Sequence, residues 1–375
     1  MLGHVVPRSW GIYMFRYRSQ RLDYPKTTVT IEGNPASRSV VSGLRLYGPA
    51  AAFVAAALSL TLLLGNSTGN TYYVSPTGND SNPCTQTSPC ATPDYAVNNK
   101  AAAGDRVQVA AGTYNYGSEV HFTKSGTAGN YITLTCATRG ACKIQNSVTG
   151  NSTVVWIQGS YVTFDGFEVT NTGAGNNLGI YISGSNVSVT RNNVHRIEAD
   201  CGSAGGGGIE VATGAGSGDV IDSNVVYDIG WTNSACIGTN HVHGIDYSPD
   251  GPATVTITNN IVYHTLGGWG IQMQGASVGT TGSVIANNLI FSNGNGGIVF
   301  AEMGGTIDFN TVVNNIIVAN GTDQAKCGIY EYAVSGTHNV YMNNDAYGNA
   351  GGDNCFKTGS QTAKEGYRSR AGILH

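Results

Sequence analysis

No lysine or arginine occurs between Ile197 and Ala325, although that stretch carries eleven acidic residues. A polyanion such as nucleic acid is repelled by such a section, so a nucleic-acid partner is not expected. Charge is scarce throughout, at 11% of residues, and the net charge of −4 is small. No Cys-x-x-Cys spacing exists among the eight cysteines, which argues against a structural zinc site, and no cysteine precedes Cys84. Lys- and Glu-rich helical patterning is missing. In its place stand 53 glycines and many asparagines, a composition that suits short strands joined by tight corners.

What is present is a repeat. Seven stretches between Val155 and Asn349 carry an apolar strand of the form Gly-Ile-x-apolar. They are VVWI (154–157), GIYI (179–182), GIEV (208–211), GIDY (244–247), GIQM (270–273), GIVF (297–300) and GIYE (328–331). Each is paired with a strand that carries Asn-Asn or a variant, from VTFDGFEV (162–169) through VSVTRNNV (187–194) and VTITNNIV (255–262) to VYMNNDA (340–346). A period of 25 to 36 residues built of strands marks a solenoid whose coils stack in parallel. The expected fold is all-β, a single right-handed parallel β-helix over residues 70–355. TPDYAVNNKAAAGD (92–105) reads as a short N-terminal capping helix. Alternation sends Ile180, Ile209, Ile245, Ile271, Ile298 and Ile329 inward. Phe164, Val189, Ile221, Ile257, Ile285, Val312 and Tyr341 form a second stacked column. Asn192, Asn224, Asn260, Asn288, Asn315 and Asn344 form a corner ladder, since Asn tolerates left-handed backbone and can bond its stacked neighbours. Asp165 falls at the corner position of Thr258, and Glu331 breaks the inward apolar pattern of an irregular last coil.

The flanks read differently. Residues 1–45 show no repeat and are an unassigned extension. Residues 46–69 hold the apolar run AAAFVAAALSLTLLL (50–64), with Arg38 and Arg45 before it and Gly65, Ser67 and Gly69 after it. That resembles a secretory signal, with a membrane anchor as the alternative. Residues 356–375 form a basic tail without strand signal. Cys84/Cys90 and Cys136/Cys142 lie six apart, and Cys201/Cys236 and Cys327/Cys355 lie about one coil apart. Four local disulfides are expected, in an oxidising compartment and thus a secreted or cell-surface protein.

Stacking decides which side chains share a surface. The outward residue of each Gly-Ile strand gives the column Trp156, Tyr181, Glu210, Asp246, Gln272, Val299, Tyr330. Two carboxylates on adjacent coils are flanked by aromatic rings that could carry sugars. Strands one coil apart lie about 4.8 Å apart, close to the carboxyl separation of retaining glycosidases, about 5–5.5 Å. A second column, Arg196, Asp228, His264 and Ser292, begins the loops that lead into these strands and is expected to overhang the first. His241 and His243 sit on the same edge. The site expected from sequence is therefore Arg196, Glu210, Asp228, His241, His243, Asp246 and His264, with Trp156, Tyr181, Gln272 and Tyr330 as sugar contacts. The plain alternative is a solvated sheet face.

The N-terminal module YYVSPTGNDSNP…GDRVQVAAGTY…SGTAGNYITL, followed by Asn-rich turns, resembles the pectate-lyase-like right-handed parallel β-helix superfamily over about residues 71–350. That resemblance implies a polysaccharide-active protein acting as a monomer, and a uronate lyase first. Arg196 or His243 would take the α-proton, with Ca2+ held by Glu210, Asp228 and Asp246. The residues depart from the superfamily's usual pattern, because the central coils lack the Lys or Arg base its lyases employ. A glycoside hydrolase using Glu210 and Asp246 is the alternative, and it suits the acidic face better. A transition-metal site of His241, His243, His264 and Asp246 and a non-catalytic carbohydrate-binding or adhesion module are the remaining readings.

Overall fold

The computed structural model describes residues 69–357, apart from 149, 151, 172, 174–176, 199–205, 212–216, 231–233, 250–252 and 276–278, together with 361–362. The extension 1–45, nearly all of the apolar segment 46–69 and most of the tail lie outside the described residues. Among the described residues no helix is long and apolar enough to cross a membrane.

The described residues wind as an all-β parallel solenoid with three long sheets, of eleven, nine and nine strands, and a fourth of two short strands. Each coil contributes a strand to the first sheet, then to the second, then to the third, which carries the Gly-Ile strands and is called the site sheet below. Pro93–Asn99 is the expected short helix. It buries Pro93, Ala96 and Val97 against the first strands, covering apolar surface that a bare first coil would expose.

The Asn-containing segments, read from sequence as one strand each, are two. In VSVTRNNV the strands are Ser188–Thr190 and Asn193–Ile197, in different sheets. The bend falls on the residue before the ladder. Arg191, Ser223, Asn259, Asn287, Asn314 and Asn343 have φ between 53° and 58°, the left-handed region. The ladder asparagines themselves are not the left-handed residues, contrary to expectation. Their side chains turn inward, where Asn192, Asn224, Asn260, Asn288 and Asn315 each donate a backbone N–H to the Oδ1 of the next coil's Asn at 2.9–3.0 Å. Their Nδ2 groups donate to the carbonyls of Phe164, Val189, Ile221, Ile257 and Ile285. The bent backbone leaves these groups without strand partners, and the Asn side chain satisfies them inside the core. Two further ladders hold the other corners, Asn293–Asn320–Asn349 and Ser283–Asn310–Asn339.

The Gly-Ile motif has a steric cause. Pairing matches Gly207 with His243 and Ile209 with Ile245 and passes over Gly208 and Gly244. There the strand kinks, so that two successive residues face the core. A Cβ on Gly208 or Gly244 would lie 2.3 Å from Val226 Cγ1 or Val262 Cγ1, far inside van der Waals contact. The Ile that follows fills the space. Ile180, Ile209, Ile245, Ile271, Ile298 and Ile329 are all fully buried, each worth about 1.5–3 kcal/mol.

Three of the expected disulfides are present: Cys84–Cys90, Cys136–Cys142 and Cys327–Cys355. The fourth expected pair has one member, Cys201, outside the described residues. Asp165 stands in register with Thr190, Asp222 and, through it, Thr258. It is buried and accepts hydrogen bonds from Thr135, Thr190 and Arg191, a corner clamp that burial alone would disfavour and the guanidinium makes possible. Glu331 points into the last coil, where it accepts from Tyr341 Oη at 2.6 Å and from the Lys357 N–H at 2.9 Å.

Candidate active site

Parallel registration places the outward column on one face of the site sheet. Trp156 pairs with Tyr181, Tyr181 with Glu210, Glu210 with Asp246, Asp246 with Gln272, Gln272 with Val299 and Val299 with Tyr330. Glu210 and Asp246 are each half-buried on strands Gly206–Val211 and Val242–Tyr247.

Burial and mutual repulsion set their protonation. Loss of solvent pushes Glu210 well above the ordinary carboxylate range, and the Asp246 charge pushes it further. Burial also raises Asp246, but the Gln272 side chain works the other way. Gln272 Nε2 donates to Asp246 Oδ1 at 3.3 Å, which favours the anion. Gln272 thus gives the Asp246 anion a hydrogen-bond donor that Glu210 does not receive from it. The two titrate as a unit, so apparent pKa values belong to the pair.

Aromatic rings flank the pair on both sides along the solenoid. Toward the N-terminus, His121, Trp156 and Tyr181 follow one another with ring centroids 5.0 and 5.4 Å apart. His121 also bonds Glu119 through Nε2 at 3.2 Å. Toward the C-terminus, Trp269 stacks on Tyr330 at 5.8 Å and 16°, with Val299 buried beneath them. Trp269 was missed in the sequence reading. Its signal was its place one residue before Gly270, on the edge that His243 occupies one coil earlier.

Several expected members stand elsewhere or do other work. Arg196, Asp228, His264 and Ser292 have φ of 51°, 55°, 60° and 53°. They form a column of left-handed positions at the end of the second-sheet strands, one coil above another. Arg196 is exposed, and its charge acts on Glu198. Asp228 Oδ1 is bonded to His264 Nδ1 at 2.6 Å. His243 does face outward beside the pair, in register with Gly207. It is buried, however, and burial with the neighbouring His241 pushes its pKa down to about 3. Its Nδ1 accepts the Trp269 N–H at 3.2 Å. A group that weakly basic is a poor acceptor for an α-proton. Gln272 is buried and touches Asp246, so it is a positioning residue and not an open sugar contact. Tyr181 and Tyr330 keep their expected places on the face, as does Trp156, whose Nε1 donates to Ser183 Oγ at 2.8 Å.

The calcium trio does not assemble, because Asp228 is committed to His264 at the corner. Among the described residues no group of three or more His, Cys, Asp or Glu side chains is arranged to hold a metal ion. The same geometry opposes the His241/His243/His264/Asp246 set. Among the described residues neither donor set is brought together.

Sequence comparison places the chain. Residues 72–358 match the family described as the Pel9A-like right-handed beta-helix region, and the chain belongs to that family. Among solved structures it resembles an alginate lyase from Paenibacillus sp. strain FPU-7, with a TM-score of 0.52 and 19% identity over 80% of this chain and 97% of that one. It also resembles pectate lyase Pel9A, with a TM-score of 0.48 and 18% identity over 80% and 83% of the two chains. A lacto-N-biosidase from Eubacterium ramulus gives a TM-score of 0.42 and 13% identity over 85% and 71%. No curated protein sequence matches. At such identities the shared property is the fold, and reaction and substrate rest on the site.

Proposed function

We propose that the protein is a secreted carbohydrate-active enzyme that cleaves a polysaccharide laid along the site sheet, by hydrolysis at Glu210 and Asp246. The observation that carries this reading is the registered carboxyl pair, both members raised by burial and one hydrogen-bonded by Gln272, between two aromatic rows. Protonated Glu210 gives its proton to the glycosidic oxygen while Asp246 attacks the anomeric carbon. The C–O bond breaks, and a glycosyl ester forms on Asp246. Water, deprotonated by the Glu210 carboxylate, then attacks the same carbon. This frees Asp246 and returns the proton to Glu210. Export is supported by the three disulfides, which persist in oxidising compartments.

β-Elimination on a uronate chain is the second reading, favoured by membership of the Pel9A-like family. It lacks a base in the site described above, since Arg196 sits at a corner and His243 is too acidic.

Pectate, alginate and neutral glycans, each with calcium or with chelator, separate the possibilities. Reducing ends without ultraviolet absorbance support hydrolysis. Unsaturated product at any calcium level replaces it with elimination. Retention on a glycan without cleavage leaves a binding module. Under hydrolysis the rate against pH is bell-shaped, with both limbs above the ordinary carboxylate range of about 4. Activity falls on the acid side as Asp246 takes a proton, and on the basic side as Glu210 loses one. Limbs at the values of exposed carboxyls would contradict the buried pair.

A further inference from the structure

The charges around the pair point to a substrate class opposite to that of the uronate lyases the fold resembles. The four strands that form the centre of the site face, Gly206–Val211, Val242–Tyr247, Trp269–Gly275 and Gly296–Glu302, contain no lysine or arginine. No cation occurs anywhere between Ile197 and Ala325. Several of the cations that precede this stretch are engaged elsewhere, while Lys326, which follows it, is exposed three residues before the site-sheet strand Ile329–Tyr332. Arg191 is clamped on Asp165, Arg139 bonds the carbonyls of Arg191 and Ser223, and Lys143 pairs with Glu168 at 3.1 Å. The Arg196 charge falls on Glu198. His243, the basic side chain closest to the pair in register, is buried, with Nδ1 taken by a backbone N–H.

An anionic sugar in this position would have to approach Asp246 without a countercharge. Two like charges about 4 Å apart in a partly buried setting repel by several kcal/mol at an effective dielectric near 20. The partly exposed rings of Trp156, Tyr181 and Tyr330 impose no such cost on an uncharged ring, whose C–H faces they can cover, while Trp269 is buried behind Tyr330.

We infer that the site takes a neutral glycan, and that a uronate at the cleavage position is rejected by charge. This rests on the reading of Glu210 and Asp246 as the reacting pair only for where the bond breaks. The charge argument holds for the face even if that pair is inert.

The test uses matched polymers. Polygalacturonate and alginate are compared with their carboxyl-reduced forms, and with galactan, mannan, xylan and β-glucan. Each is followed by reducing-end release and by affinity electrophoresis, in 0.05 to 0.5 M salt (roughly the range over which screening becomes strong), with calcium and with chelator. We expect at least one neutral polymer to be cleaved or bound, with less than about a twofold change across that salt range. Uronate polymers should be handled at least about tenfold less well than the best neutral one, a 1.4 kcal/mol difference or more. A uronate polymer cleaved or bound better than its carboxyl-reduced form, with or without calcium, overturns the inference. So does failure to bind or cleave any polymer. Full activity of Asp246→Asn on a neutral glycan would instead remove the reacting pair and leave the substrate class standing.

Discussion

Asp246→Asn lowers kcat by roughly 10²–10⁴-fold and leaves KM for the polysaccharide near its wild-type value. The change keeps the shape of the side chain and an Oδ1 that can still accept from Gln272 Nε2. It removes the anion that attacks the anomeric carbon and adds no bulk, so the fold and the aromatic rows are untouched. Glu210 responds as well. The Asp246 charge helps to hold its carboxyl protonated, so the basic limb of any residual activity moves to lower pH. Burial still keeps it above the value of an exposed glutamate. Chemical rescue separates the two roles. An external nucleophile such as azide restores turnover to Asp246→Ala and yields a glycosyl azide of inverted anomeric configuration, because azide attacks from the side Asp246 occupied. Steady-state kinetics, product configuration and a melting curve check this result. Wild-type kcat in Asp246→Asn would dismiss the site.

The largest expected loss of stability lies away from the chemistry. Asn260→Ala should cost about 3–5 kcal/mol. Asn260 Nδ2 donates to the Ile221 carbonyl at 2.9 Å and to Asn288 Oδ1 at 3.0 Å. Its Oδ1 accepts from the Asn224 N–H at 2.9 Å and from Asn224 Nδ2 at 3.1 Å. Alanine removes all of these and strands a buried N–H and a buried C=O, each worth about 1–3 kcal/mol when unpaired. The side chain is 1% exposed, so water does not replace it without opening the coil. Urea unfolding measures the effect. Thr256→Ala, on the outward side of the preceding strand, should stay within about 0.5 kcal/mol. Equal losses in the two variants would mean that the ladder is ornamental to stability.

How far the sequence could be read depended on the kind of contact. The inward isoleucines were legible because period-two alternation and the coil repeat both act along the chain. The register that aligns Glu210 with Asp246 was legible for the same reason, since counting from one Gly-Ile to the next places equivalent residues side by side. The double-strand character of the Asn segments was not legible. It turns on the left-handed φ at Arg191 and Asn259, and on side chains that complete hydrogen bonds with other coils. The corner residues Arg196, Asp228 and His264 misled for a related reason. Their spacing announces that they stack, but not which way a left-handed corner aims them. Asp228 bonded to His264 is a contact within the column.

By itself the sequence determined the repeat, and with it the parallel sheets, the buried columns and the pairing of Glu210 with Asp246. Coil stacking converts a linear period into lateral contact, so nothing beyond counting was required. The tertiary structure alone decided which groups are desolvated. It buried His243, set the Gln272 amide against Asp246, and bonded Asp228 to His264 within a column of left-handed positions. Protonation depends on how much solvent and charge surround a group in three dimensions, and a list of residues in order carries neither.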